Sequence, residues 1–212
     1  MYTLYYTPGA CSLAVHVSLE EVGATYKLEN VAVPDGQPRS PEFLKINPRG
    51  SVPVLAYDGF ILREGAAILT TLLDEHKSPL LPAEGKARAT VLEWLAFANS
   101  TLHPAYSTMF KMHKTLGGAD KAAENPFYDI VIANIQTLWD DVEARLTTSS
   151  YLAGDQCSVA DILVTVIANW TPAAKKPVTF GPKTKALFSR VIARPAYAKA
   201  LADEKVTYKV AA

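Results

Sequence analysis

The sequence predicts an α/β unit followed by an all-helical one, on three observations. Residues 1–77 alternate β-type and helix-type patterns in the order strand, helix, strand, helix, strand, strand, helix. Residues 78–86 carry Pro79 and Pro82 in a stretch without hydrophobic period, which reads as a linker. From 87 to 212 the apolar residues recur at helical spacing, with no convincing strand, internal repeat or low-complexity tract.

Met1 to Tyr6 mixes aromatic, β-branched and aliphatic residues as a short strand does, and Thr7-Pro8-Gly9 forces a turn. Cys11-Ser12 then opens an apolar-periodic helix that runs to Gly23. Thr25–Val33 reads as a second strand, and 34–39 as a turn-rich loop. A short helix from Pro41 to Ile46 ends at Asn47-Pro48-Arg49-Gly50. Val52–Tyr57 and Phe60–Leu62 flank Asp58-Gly59, the strongest short-range hairpin signal. Glu64-Gly65 begins a helix whose Ile68, Leu69, Leu72 and Leu73 keep helical spacing to about His76. In the second unit the helical patterns cover 86–116, 126–147, 158–170, 183–193 and 195–204.

The 21 Lys and Arg balance the 21 Asp and Glu. Affinity for phosphate backbones rests on excess positive charge, so a general nucleic-acid or anionic-membrane binder is not expected. With 49% hydrophobic and 20% charged residues the composition is that of a globular chain, and 212 residues suffice for a core without staples. No run reaches the roughly 18 apolar residues of a membrane span, and no signal-peptide pattern opens the chain. Cys11 and Cys157 are too few for a disulfide framework or metal knuckle. A reducing cytoplasm and no metal are the expectation.

Three places carry chemistry. Cys11 sits where a strand hands over to a helix, and the partial positive charge of a helix N-terminus favours a thiolate there. The bland alternative is a small buried hydrophobe. At Val52-Pro53 a proline removes a ladder hydrogen bond, and X-Pro is the bond for which cis is cheap; in cis, Val52 would offer its N–H and C=O to a peptide as one rung of strand. The alternative is a plain edge proline. At Glu64-Gly65 an unobstructed N–H at a helix start suits a carboxylate, and the adjacent glutamate an ammonium: together, an amino-acid head group. By contrast, Ser158-Val159-Ala160-Asp161 reads as a capping box, with Cys157 and Ile162 as its hydrophobic staple. Ser100, His103 and Ser107 share a helical face with Ala96, and Pro104 must break or kink that helix because its ring clashes with the carbonyl of Ser100.

Tyr-Thr-Pro-Gly-Ala-Cys-Ser-Leu-Ala at 6–14, Asn-Pro-Arg-Gly-Ser-Val-Pro-Val-Leu at 47–55, Glu-Gly-Ala-Ala-Ile at 64–68 and Ser-Val-Ala-Asp at 158–161 resemble cytosolic glutathione S-transferases. The bacterial beta class, with its cysteine in place of Tyr or Ser, is the nearest. The resemblance implies a thioredoxin-like N-terminal domain, an all-α C-terminal domain and a homodimer with the active-site cleft between domains. It also implies glutathione as co-substrate, with no tightly bound cofactor. Around glutathione it places Tyr6, Cys11, Val52, Pro53, Glu64, Gly65, Ser100 and His103, with Cys11 and His103 at the sulfur. For a small hydrophobic electrophile or disulfide it leaves Tyr106, Phe110 and Trp170 as pocket walls. Cys11 would hydrogen-bond the glutathione sulfur or form a mixed disulfide with it. There are departures: Pro104 stands where relatives often have a basic residue, and Ala96 where they have asparagine. The lysine expected in the 34–39 loop has no clear counterpart except Gln37 or Arg39. The rival reading is a non-catalytic carrier on the same fold.

Overall fold

The computed structural model describes residues 1–34 and 37–210; Asp35 and Gly36 of the predicted turn lie outside the described residues. Strand β1 (Tyr2–Tyr6) pairs in parallel with β2 (Tyr26–Asn30) and antiparallel with β3 (Val54–Tyr57), which pairs with β4 (Phe60–Arg63). The sheet order is β2-β1-β3-β4. The parallel pair is joined by α1 (Ser12–Glu21), since two parallel neighbours need a crossover. Asp58 and Gly59 both have positive φ (47° and 77°), the primed turn that matches the twist of β3 and β4. β2 is shorter than the predicted 25–33, because the Asn30 side chain accepts the Ala32 N–H and turns the chain away. Helix α2 (Pro41–Ile46) starts where Ser40 Oγ accepts the Phe43 N–H at 3.2 Å, and α3 spans Gly65–Glu75.

The second unit contains α4 (Gly85–Phe97), α5 (His103–Thr115), α6 (Ala119–Ala123), α7 (Pro126–Arg145), α8 (Val159–Ala168), α9 (Pro182–Ile192) and α10 (Pro195–Glu204). The predicted helix 86–116 is interrupted, as Pro104 requires, and the device is a π-helical turn over Ala98–Leu102. There the His103 N–H reaches back five residues to the Ala98 carbonyl, widening the helix just ahead of the proline ring. The five-residue α6 is too short to show a period in the sequence.

A single apolar cluster joins the units, running from Leu4 and Leu55 in the sheet through Leu13 and Leu72 to Trp139 and Leu163. Helix α1 is buried from Ser12 to Leu19 against α3, α8 and α10, and all ten residues of α8 are buried. The stretch read as a linker is itself anchored. Leu80 and Leu81 are buried, and the Leu80 carbonyl accepts the Val159 N–H at 3.0 Å. No helix among the described residues is long and apolar enough to cross a membrane.

Candidate active site

The β1–α1 loop is held from the helical unit. Gly9, at φ +70°, donates its N–H to Glu204 Oε2 at 2.9 Å and accepts Trp170 Nε1–H on its carbonyl at 2.8 Å. Both polar groups of the residue two before Cys11 are thus bound by side chains more than 160 positions away in sequence. The Glu204 carboxylate also hydrogen-bonds His16 Nδ1 at 3.0 Å, both side chains being buried. The sequence signal for this contact was a lone histidine inside the apolar run of α1, which the sequence reading passed over.

Cys11 differs from the thiolate expected. Its Sγ donates to the Val52 carbonyl at 3.4 Å. Burial pushes the thiol up to about 11, and the hydrogen bonds from its own and the Ser12 backbone N–H only partly offset this. Desolvation outweighs the helix terminus, so at neutral pH Cys11 is a protonated hydrogen-bond donor.

Val52-Pro53 is cis, and Val52 precedes the β3 ladder, whose pairing begins at Val54. Glu64 caps α3 at φ +73°, a conformation that costs a non-glycine residue about 1–3 kcal/mol and turns the chain sharply into Gly65. Its carboxylate meets Arg49 Nη1 at 2.5 Å; both side chains are exposed, so the pair is weak. A Cβ on Gly65 would lie 3.3 Å from Asn99 Oδ1. Asn99 was missed by the sequence reading, which weighed Ser100 instead.

Two cavities meet here. One, of about 200 Å³, is lined by Cys11, Ser51, Val52, Pro53, Glu64, Gly65, Asn99 and His103. The other, of about 350 Å³, is lined mainly by apolar groups of Pro8, Ala10, Phe110 and Trp170, with Cys11, His103 and Ser107. Cys11 and His103 belong to both. His103 Nδ1 hydrogen-bonds Ser107 Oγ at 3.2 Å, and its ring packs edge-on to Trp170 at 5.1 Å. Burial lowers its pKa below the ordinary histidine value, which keeps the imidazole neutral at pH 7.

Three predicted residues line neither of these two cavities. Ser100 lines a separate apolar groove with Ala66, Ala67 and Ala96, while Asn99 and His103 line the cavity at Cys11. Tyr106 is fully buried core, its hydroxyl bonded to Thr171 Oγ1 at 2.5 Å and to Trp139 Nε1 at 2.9 Å. Tyr6 lines neither cavity. It is packed into the core, where burial and the charges of Glu204 and Asp203 raise its pKa. In the 34–39 loop, Arg39 is already committed to the carbonyls of Gly50 and Val31 and to Thr7 Oγ1, which leaves exposed Gln37. The ligand-type atoms of His16, Glu20 and Asp203 lie within 4.8 Å of one another, but Lys199 Nζ is bonded to both carboxylates, at 2.8 and 2.7 Å, and supplies the cation.

Comparison with known proteins agrees with this architecture. The family model for the N-terminal domain of glutathione S-transferase matches residues 1–73, and that for its C-terminal domain matches 97–195. Glutathione S-transferase GST-4.5 of Xanthomonas campestris is 32% identical over 90% of this chain and 92% of its own. A beta-class glutathione S-transferase of Sphingomonas chungbukensis superposes with a TM-score of 0.81 at 30% identity, covering 97% of this chain and all of that one. A sphingomonad glutathione S-transferase solved with glutathione gives the same score, identity and coverage. With both domain models matched in order and relatives aligned over nearly its whole length, the chain belongs to the glutathione S-transferase family.

Proposed function

We propose that this protein activates the thiol of glutathione for attack on a small apolar electrophile, with residues 1–77 carrying the tripeptide and 87–212 the electrophile. One observation carries the reading: Cys11 and His103 are walls common to the polar cavity and the apolar one, so a sulfur between them faces both. The tripeptide backbone pairs with Val52, and its γ-glutamyl head sits at Glu64, the Gly65 N–H and Asn99. Phe110 and Trp170 wall the electrophile.

Magnitudes assign the two polar groups. A protonated Cys11 thiol turns from the Val52 carbonyl to the glutathione sulfur and donates to the thiolate, stabilising the form that attacks. Burial holds the His103 pKa below the ordinary histidine value, which already lies below that of a thiol, so transfer of the thiol proton to it is uphill. It therefore acts as a neutral hydrogen-bonding partner, and the proton leaves to solvent. Cys11→Ala is expected to lower kcat/KM for a generic aryl halide about 10–100-fold, the worth of a hydrogen bond to a charged group, while Cys11→Ser keeps most of the rate. An unchanged rate in the alanine variant sinks the donor role. Unchanged conjugation with loss of disulfide reduction would instead assign Cys11 a covalent part in thiol transfer.

The family resemblance implies a homodimer in the cytoplasm. The apolar groove between α3 and α4, lined by Ala66, Ala67, Leu92 and Ala96, is the face we assign to the second copy. Light scattering should give twice 23.0 kDa, and Ala96→Arg should halve it; a monomeric parent protein would refute the assignment.

A further inference from the structure

Next to the electrophile cavity lies another cleft, of about 470 Å³, that shares Pro8, Gly9 and Trp170 with it. Its remaining walls come from Asn169 and the tail after α10, including Lys205 and Lys209. Two lysines and no carboxylate line it. The nearest acids are engaged elsewhere, Asp203 by Lys199 and Glu204 by Gly9 and His16. Neither lysine forms an ion pair among the described residues.

The tail that carries them is fixed. Asn169 donates its Nδ2–H to the Thr207 carbonyl at 3.1 Å and accepts the Lys209 N–H on Oδ1 at 2.6 Å. Lys205 ends α10 in the left-handed region at φ 55°, which turns the chain out of the helix and across the loop. Val206 then lies against Gly9, its methyls 3.6 Å from where a Cβ of Gly9 would stand. Two lysines on a pinned backbone, around a lining that includes no carboxylate, lower the ordering cost of holding an anion.

We propose that this cleft binds a small, multiply charged anion of the phosphate class between Lys205 and Lys209, separately from the glutathione and electrophile cavities. The occupant rests against Pro8, Gly9 and Trp170, which also line the electrophile cavity. Trp170 therefore reports on both clefts.

Inorganic pyrophosphate is the probe, titrated into the full chain by calorimetry with glutathione at saturation and without it. Binding at or below millimolar concentration is expected in both cases, weakening as salt is raised. The double variant Lys205→Gln/Lys209→Gln should bind at least tenfold more weakly with an unchanged melting temperature and unchanged glutathione affinity. Undetectable pyrophosphate binding at 10 mM, equal affinity in the double variant, or displacement of pyrophosphate by glutathione would each overturn the assignment. Loss of glutathione binding alone would bear on the transferase reading and leave this one standing.

Discussion

Glu204→Ala is expected to damage both the fold and the site. The change removes the acceptor of the half-buried Gly9 N–H, at 2.9 Å, and the partner of fully buried His16, at 3.0 Å. Hydrogen bonds to a charged group are worth about 1.5–3 kcal/mol each, and the two orphaned groups retain their desolvation cost, so the loss is about 3–5 kcal/mol. In a chain of this size that is a fall of roughly 6–20 °C in melting temperature. The consequence for function follows from position. Released from Glu204, Gly9 keeps its hydrogen bond from Trp170 but loses the one on its N–H, and the turn that sets Cys11 opposite Val52 loosens. Glutathione affinity should drop about tenfold, measured by calorimetry below the melting transition, with Glu204→Gln intermediate because it retains one carbonyl oxygen. Affinity equal to the parent's in a folded Glu204→Ala protein would show that the loop holds itself.

Asp161→Ala should give a fall in stability of similar size with no effect on affinity. Buried Asp161 accepts the Ser158 N–H at 2.8 Å, Ser158 Oγ–H at 2.7 Å and, beyond the predicted capping box, the Leu152 N–H at 2.8 Å. A cap alone is worth about 1 kcal/mol; with a second buried N–H orphaned, the loss rises to about 3 kcal/mol, or roughly 6–12 °C. Burial raises the Asp161 pKa despite these donors. The folded state thus takes up the proton at a higher pH than the unfolded chain, and this group's contribution to stability grows as pH falls through the raised value. The gap between parent and variant should therefore widen on mild acidification. Thermal melts across that range check the sign, and a gap that narrows would contradict it.

Much of the lining of the candidate cavity was legible because local rules govern it. A cysteine after Thr-Pro-Gly, a proline entering a strand and a glycine opening a helix each announce themselves within a few residues, and all lie around one cavity. Residues whose roles depend on which way a helix faces were harder. Ser100 and Asn99 differ by one position, and only the cavity that each lines separates them. Tyr106 and Trp170 look alike as aromatic wall candidates. One is sealed by Thr171 and Trp139, while the other reaches the loop carbonyl.

The sequence by itself determined the order of elements, the hairpin at Asp58-Gly59, the break at Pro104 and the cap at Ser158, because hydrophobic period, turn chemistry and capping act over a few residues. Only the tertiary structure decided the protonation of Cys11, the anchoring of Gly9 by Glu204 and Trp170, and the join of two cavities at His103. The reason is physical: desolvation and hydrogen bonding between distant segments depend on what the whole chain packs around a group, and no local pattern carries that information.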